Sequence, residues 1–242
     1  FLRCLPLSVR REGLFIALLL LAGTLQAADC VVLLHGLARS DGSMSELAED
    51  LAQAGYQTVN VDYPSTNFPV EELADRYIPA AIEACAPDST VHFVTHSIGG
   101  ILVRYWLAHN DHSRVGRVVM LVPPNQGSEL VDKLGKVRGF YLLNGPAGLQ
   151  LGTDPASLPN TLGPIPVETG VVAGSKSLNP IYSAIIPGDD DGKVAVARTR
   201  LDGMTDFIVL RHTHTWITGA PPAQYQVRYF LEHGSFDHSV ND

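Results

Sequence analysis

No cluster of lysine and arginine stands in the body of this 242-residue chain, whose formal net charge is −8. A nucleic-acid groove or a surface for anionic headgroups needs concentrated positive charge, so both readings are set aside. Internal repeats and low-complexity segments are lacking, which excludes a stacked repeat array. No apolar run is long enough to cross a bilayer as a helix: Leu14–Ala22 falls well short of the roughly 20 residues required. Cysteine is scarce, with three residues. The acidic loop 187–194 lacks the regular ligand spacing of a calcium site. No metal and no cofactor is therefore expected.

What is present begins with an address. Arg3, Arg10 and Arg11 precede the run Leu14–Ala22, and small residues follow at Ala27 and Ala28. A basic region, a short apolar region and a small-residue exit make a secretory signal peptide over 1–27. Residues 28–242 then form a single domain in an exported, periplasmic or secreted protein. With 45% hydrophobic residues the chain can fill one sizeable core. Cutting after Ala27 removes Arg3, Arg10, Arg11 and Glu12, taking the net charge from −8 to −10. Cys4 leaves too. Cys30 and Cys85 remain as an even pair in an oxidising compartment, where a disulfide is expected if their strands are neighbours.

The apolar run Val31–Leu34 reads as a strand buried on both faces. Ser43 with Glu46 makes a capping box for a helix carrying Leu47 and Leu51 and stopped by Gly55. A strand over Tyr56–Tyr63 and a helix from about Pro69, well placed in a first turn, to Ala84 follow, with a kink or break expected at Pro79. Further strands are read at Val115–Val122, Glu168–Ala173 and Asp206–Leu210, and a closing helix at Ala223–His233. Residues 129–166 show the least periodicity and read as a lid-like insert that shapes the substrate site. Strands alternating with helices imply an α/β class with a mostly parallel sheet.

The chain is organised around Val91–Gly100, an apolar run that ends at Ser97 and passes straight into a helical pattern at Ile98, Ile101, Leu102, Tyr105 and Trp106. Thr95, Ser97 and Gly99 are small, as a tight strand-to-helix corner requires. This is the context of a nucleophile elbow, with Thr95 in place of the usual first glycine. A serine hydroxyl needs a base held by a carboxylate. The chain supplies an acidic loop containing Asp189, Asp190 and Asp191, then His212 and His214 after the last strand, giving the order serine, aspartate, histidine.

Leu34-His35-Gly36-Leu37, Thr95–Gly100, Asp191-Gly192-Lys193-Val194 and His214-Thr215-Trp216-Ile217 together resemble the α/β-hydrolase superfamily, and within it the compact bacterial lipases and carboxylesterases. The resemblance spans roughly residues 30–218 and implies a three-layer fold with helices on both faces of the sheet. It assigns Ser97 as nucleophile, Asp191 as triad acid, His214 as base, and the amides of Leu37 and Ile98 as oxyanion hole. Asp189, Asp190 and His212 remain alternatives beside those choices. His96 reads as a packing residue and His35 as support for the oxyanion loop. The implied activity is hydrolysis of carboxylic esters, with an ester or lipid-like substrate and transient contact at a membrane or lipid interface. An acyltransferase or an amidase or deacylase would use the same triad, and a non-catalytic binding member of the fold is a further reading.

Overall fold

A computed structural model describes residues 28–240. The signal peptide expected over 1–27 lies outside the described residues. Six strands form one sheet: β1 (Cys30–Leu34), β2 (Gln57–Val61), β3 (Val91–His96), β4 (Val115–Leu121), β5 (Thr169–Gly174) and β6 (Asp206–Leu210). They pair in the order β2-β1-β3-β4-β5-β6, parallel throughout. Every residue of β1, β3 and β5 is buried, as expected for interior strands of a parallel sheet covered on both faces.

Side-chain alternation along β1 divides the core in two. Cys30, Val32 and Leu34 face α2 (Val70–Glu83) and α3 (Ile98–His109). Val31 and Leu33 face α1 (Ser45–Gln53) and α8 (Pro221–His233). The expected three layers are present, with helices on both faces. Among the described residues no helix is long and apolar enough to cross a membrane.

Three local expectations need correction. The capping box at Ser43 and Glu46 does not form. A 3-10 turn over Asp41–Met44 precedes α1, and the Ser43 hydroxyl donates to the Ser40 carbonyl at 2.7 Å. Ser43 lies inside that turn, so the N-cap of α1 falls at Met44, which has no capping side chain. α2 passes through Pro79 without a break. Proline costs one backbone hydrogen bond there, which the fully buried face of Val70, Leu73, Ala74 and Ile78 offsets. Pro69 is the N-cap of that helix, one residue outside its first turn.

The weakly patterned segment 129–166 is largely helical. It contains α4 (Glu129–Leu134), α5 (Arg138–Leu149) and α6 (Leu158–Thr161). Their apolar residues escape a helical stripe because several face outward, with Leu142 and Leu143 each 70% exposed. α5 is two pieces joined at Gly145, whose φ of 62° and ψ of −168° are open only to glycine. A Cβ there would lie 1.8 Å from the Thr66 carbonyl oxygen. Beyond the insert, the four-residue helix α7 (Pro180–Ser183) is capped by the Asn179 side chain.

A buried cation fastens the insert to the sheet layer. Arg104 of α3 donates to the carbonyls of Asn125 at 2.8 Å, Pro159 at 3.0 Å and Gly163 at 3.2 Å. Burial pulls its pKa down to about 10. Replacing it with leucine strands those acceptors. Arg104→Leu should cost about 3 kcal/mol of unfolding free energy, read by urea titration.

Cys30 and Cys85 are joined by a disulfide across 55 residues. β1 and β3 are neighbours, with Cys30 beside Val91, so the bond ties the start of β1 to the segment entering β3. In the chain-entropy view a loop of that size is worth about 4 kcal/mol. The Cys30→Ser, Cys85→Ser double variant should lose stability of that order in urea, with the same loss when wild type is reduced.

Candidate active site

In an open parallel sheet the groups that meet ligand gather where the strands end. β3 passes into α3 with Ser97 alone between them. Ser97 has φ 54° and ψ −120°, a conformation that costs a non-glycine residue about 1–3 kcal/mol. The turn is held by its amide donating to Leu121 O at 2.9 Å and its carbonyl accepting from Gly100 N at 3.1 Å. A Cβ at Gly99 would lie 2.6 Å from Leu34 O, so α3 starts flush against the end of β1. Thr95 is fully buried at the position usually held by glycine.

Ser97 Oγ lies 3.0 Å from His214 Nε2, and His214 Nδ1 lies 2.7 Å from Asp191 Oδ2. All three residues are buried, at 7%, 5% and 2% exposure. Asp191 Oδ1 accepts from the amides of Lys193 at 2.9 Å and Val194 at 2.8 Å. The His214 amide also donates to Asp191 O at 2.9 Å. An ionised carboxylate only accepts, so the network assigns the imidazole proton to Nδ1. Nε2 is then the acceptor for the serine hydroxyl.

The alternative residues fall elsewhere. Asp190 Oδ1 accepts from Gly192 N at 2.7 Å and Ser183 Oγ at 3.1 Å, which makes it the brace of the turn. Asp189 is exposed. His212 sits at the end of β6, its amide on Leu210 O and its carbonyl on Lys176 N, away from Ser97.

His96 does more than the packing expected of it. Its Nε2 is 2.8 Å from the His214 carbonyl, which can only accept, so Nε2 carries the proton. The His96 ring lies 5.2 Å from that of His214 and holds the backbone of the loop that carries it. Its position beside Ser97 was the only sequence signal of this role. His35 supports the loop after β1, as expected. Its Nδ1 donates to Gly36 O at 2.8 Å, its ring stacks on Tyr63 at 4.0 Å, and the Tyr63 hydroxyl donates to His35 O. Ala38 N donates to Ser65 Oγ at 3.0 Å, a second fastening of the same loop.

Leu37 lines a cavity of about 330 Å³ together with Ser97, His214 and side chains of the insert, among them Leu130, Val131, Phe140 and Leu143. The amide of Ile98 is the first of α3, one of those that no helical carbonyl can engage. The arrangement can move a proton from a hydroxyl to an imidazole beside an apolar cavity. Among the described residues no three histidine, cysteine or acidic side chains are grouped as a metal ion would need.

A family model described as alpha/beta hydrolase fold matches residues 29–147. No curated protein matches the chain. Among solved structures, the mature lipase BlEst2 of Bacillus licheniformis is similar over 86% of this chain and 92% of its own, at 20% identity and a TM-score of 0.63. The metagenomic carboxyl esterase MGS0156 is similar over 79% of this chain and 66% of its own, at 20% identity and a TM-score of 0.62. Phospholipase PlaB of Legionella pneumophila matches over 72% of this chain at 22% identity and a TM-score of 0.58. There the chain spans less than half of the neighbour's length, 46%.

Burial pushes the His35, His92 and His96 imidazoles below their ordinary value of 6.5, and His96 well below it. Charge on His214 adds to the effect at His96, whereas Asp62 opposes it at His35 and Asp29 at His92. The unfolded chain therefore binds more protons than the fold once pH drops below about 6.5. Stability is full above that pH and falls as pH moves from there toward the lowered folded values, by about 1.4 kcal/mol per pH unit for each ring. Urea midpoints should drop between about pH 7.5 and about pH 5.5, and His96→Leu should show a shallower drop. Equal slopes in the two proteins would count against a neutral, buried His96.

Proposed function

We propose that this chain, which has the α/β-hydrolase fold, is a serine hydrolase of carboxylic esters. The observation that carries the reading is the hydrogen-bonded series from Ser97 Oγ through His214 to Asp191. Ser97 Oγ attacks the acyl carbonyl and its proton passes to His214 Nε2, with Asp191 holding the resulting imidazolium. The amides of Leu37 and Ile98 receive the oxyanion, a contribution on the order of a hundred- to thousandfold in rate per donor. The alcohol leaves with the proton from His214, and water then resolves the acyl-enzyme by the same route.

The apolar wall of Leu130, Val131, Phe140 and Leu143 supports a lipid-like acyl group. The outward leucines of α5 support a lid-like role for 129–166 and transient contact with a lipid interface. The printed names of the structural neighbours, lipase, phospholipase and carboxyl esterase, agree with this class. The basic and apolar order of residues 1–27, with the disulfide, supports an exported protein.

A fluorophosphonate probe should label wild type and Ser128→Ala but not Ser97→Ala; a folded wild type that resists labelling would sink the reading. His214→Ala should lower kcat on p-nitrophenyl esters by at least about 10⁴-fold, with His212→Ala near wild type. His96→Leu displaces the His214 loop and should lower kcat roughly ten- to hundredfold. An acyl-length series in solution and in emulsion tests the lid. Leu142→Ser, at an exposed side chain that does not line the cavity, should reduce the emulsion rate severalfold more than the rate on dissolved ester.

A further inference from the structure

The chain is acidic, yet the cavity at Ser97 is lined by two cations, Arg39 and Lys193, and by no carboxylate. Both side chains are exposed at its mouth. Neither has an ion-pair partner among the described residues. Arg39 donates to Thr215 Oγ1 at 3.4 Å, next to His214. The Lys193 pKa is lowered first by the protein packed about its stem and then by the Arg39 charge, against the pull of Asp191. Both line one cavity, and both charges bear on the His96 imidazole in its wall, so the two cations act on one region.

Their position distinguishes the two ends of a substrate. Leu130, Val131, Phe140 and Leu143, all from the insert, supply apolar lining of the cavity. Arg39 and Thr215 line both this cavity and an adjoining groove of about 560 Å³ that runs to Ser43 and Trp216. Glu46 also lines that groove without pairing with Arg39. An ester whose acyl chain packs on the side chains of the insert can run its alcohol part past Arg39 into the adjoining groove. Charge-assisted hydrogen bonds from guanidinium and ammonium suit phosphate or carboxylate oxygens.

We propose that Arg39 and Lys193 form an anion subsite for the alcohol part, so that the preferred substrates are acyl esters of alcohols bearing a phosphate or a carboxylate. The proposal deepens, and rests on, the serine-hydrolase reading of the same site. It also qualifies the expectation drawn from the overall acidity: a negative chain can still present a local positive mouth.

The test compares kcat/KM on three substrates with one acyl chain: decanoylglycerol, its phosphate monoester and decanoylglycerate. Wild type should favour the two charged esters at least tenfold over the neutral one, and the preference should shrink as salt is raised. A preference for only one of them identifies the group that the subsite takes. In Arg39→Gln with Lys193→Gln the loss on the favoured ester should exceed the loss on decanoylglycerol at least tenfold. Hydrolysis of all three at equal efficiency by wild type, or equal losses in the variant, overturns the anion subsite alone. Failure of a fluorophosphonate to label Ser97 in folded wild type overturns the hydrolase reading and this proposal with it.

Discussion

The turn at Ser97 is the constraint on which the rest of the site depends. A strand can pass into a helix through a single residue only if that residue accepts φ 54°, and only if its neighbours let the two elements close up. Gly99 allows the close approach, since any side chain there would meet the end of β1. The strands on either side of β3, with β1 buried throughout and β4 over its last four residues, hold the corner in place. Strain of this kind persists where surrounding structure over-determines it. Ala38 after β1 and Val122 after β4 also have positive φ, 55° and 48°, so three such residues collect around one edge of the sheet.

Much of this was legible in the chain because the responsible forces are local. Continuous Val and Leu runs follow from double burial, and they located β1, β3 and β4 to within a residue or two. The elbow was visible because a corner needs small residues in consecutive alternate positions. The order of aspartate and histidine loops followed from each standing after a strand. Other features depend on contacts between distant segments. No pattern near Arg104 announces that its guanidinium will hold carbonyls from the insert, since those carbonyls belong to backbone that any residue could supply. His96 was read as packing because its partner, the His214 carbonyl, is 118 residues away.

Local rules also failed where tertiary structure outweighed them. Pro79 was expected to kink or break its helix, yet the buried face of α2 carries the helix through it unbroken. Ser43 and Glu46 have the spacing of a cap, yet a 3-10 turn places the hydroxyl on Ser40 instead. In the insert the reverse holds. Helices form although the apolar residues do not follow one stripe, because part of that apolar surface faces outward around the cavity. A segment whose hydrophobic residues face both ways gives no clean periodicity.

Ser97 and His214 are 117 residues apart in the chain, and β6, which leads to His214, is the outermost strand beside β5. Contacts of such sequence separation close late, after the loops between them have lost their freedom. A nascent chain that has emerged only through β4 carries Ser97 without His214 beside it. On the proposed reading, reactivity at Ser97 is acquired with the docking of the last strand, so the hydroxyl would report on completion of the whole sheet and stay unreactive in partly synthesised or partly folded chains.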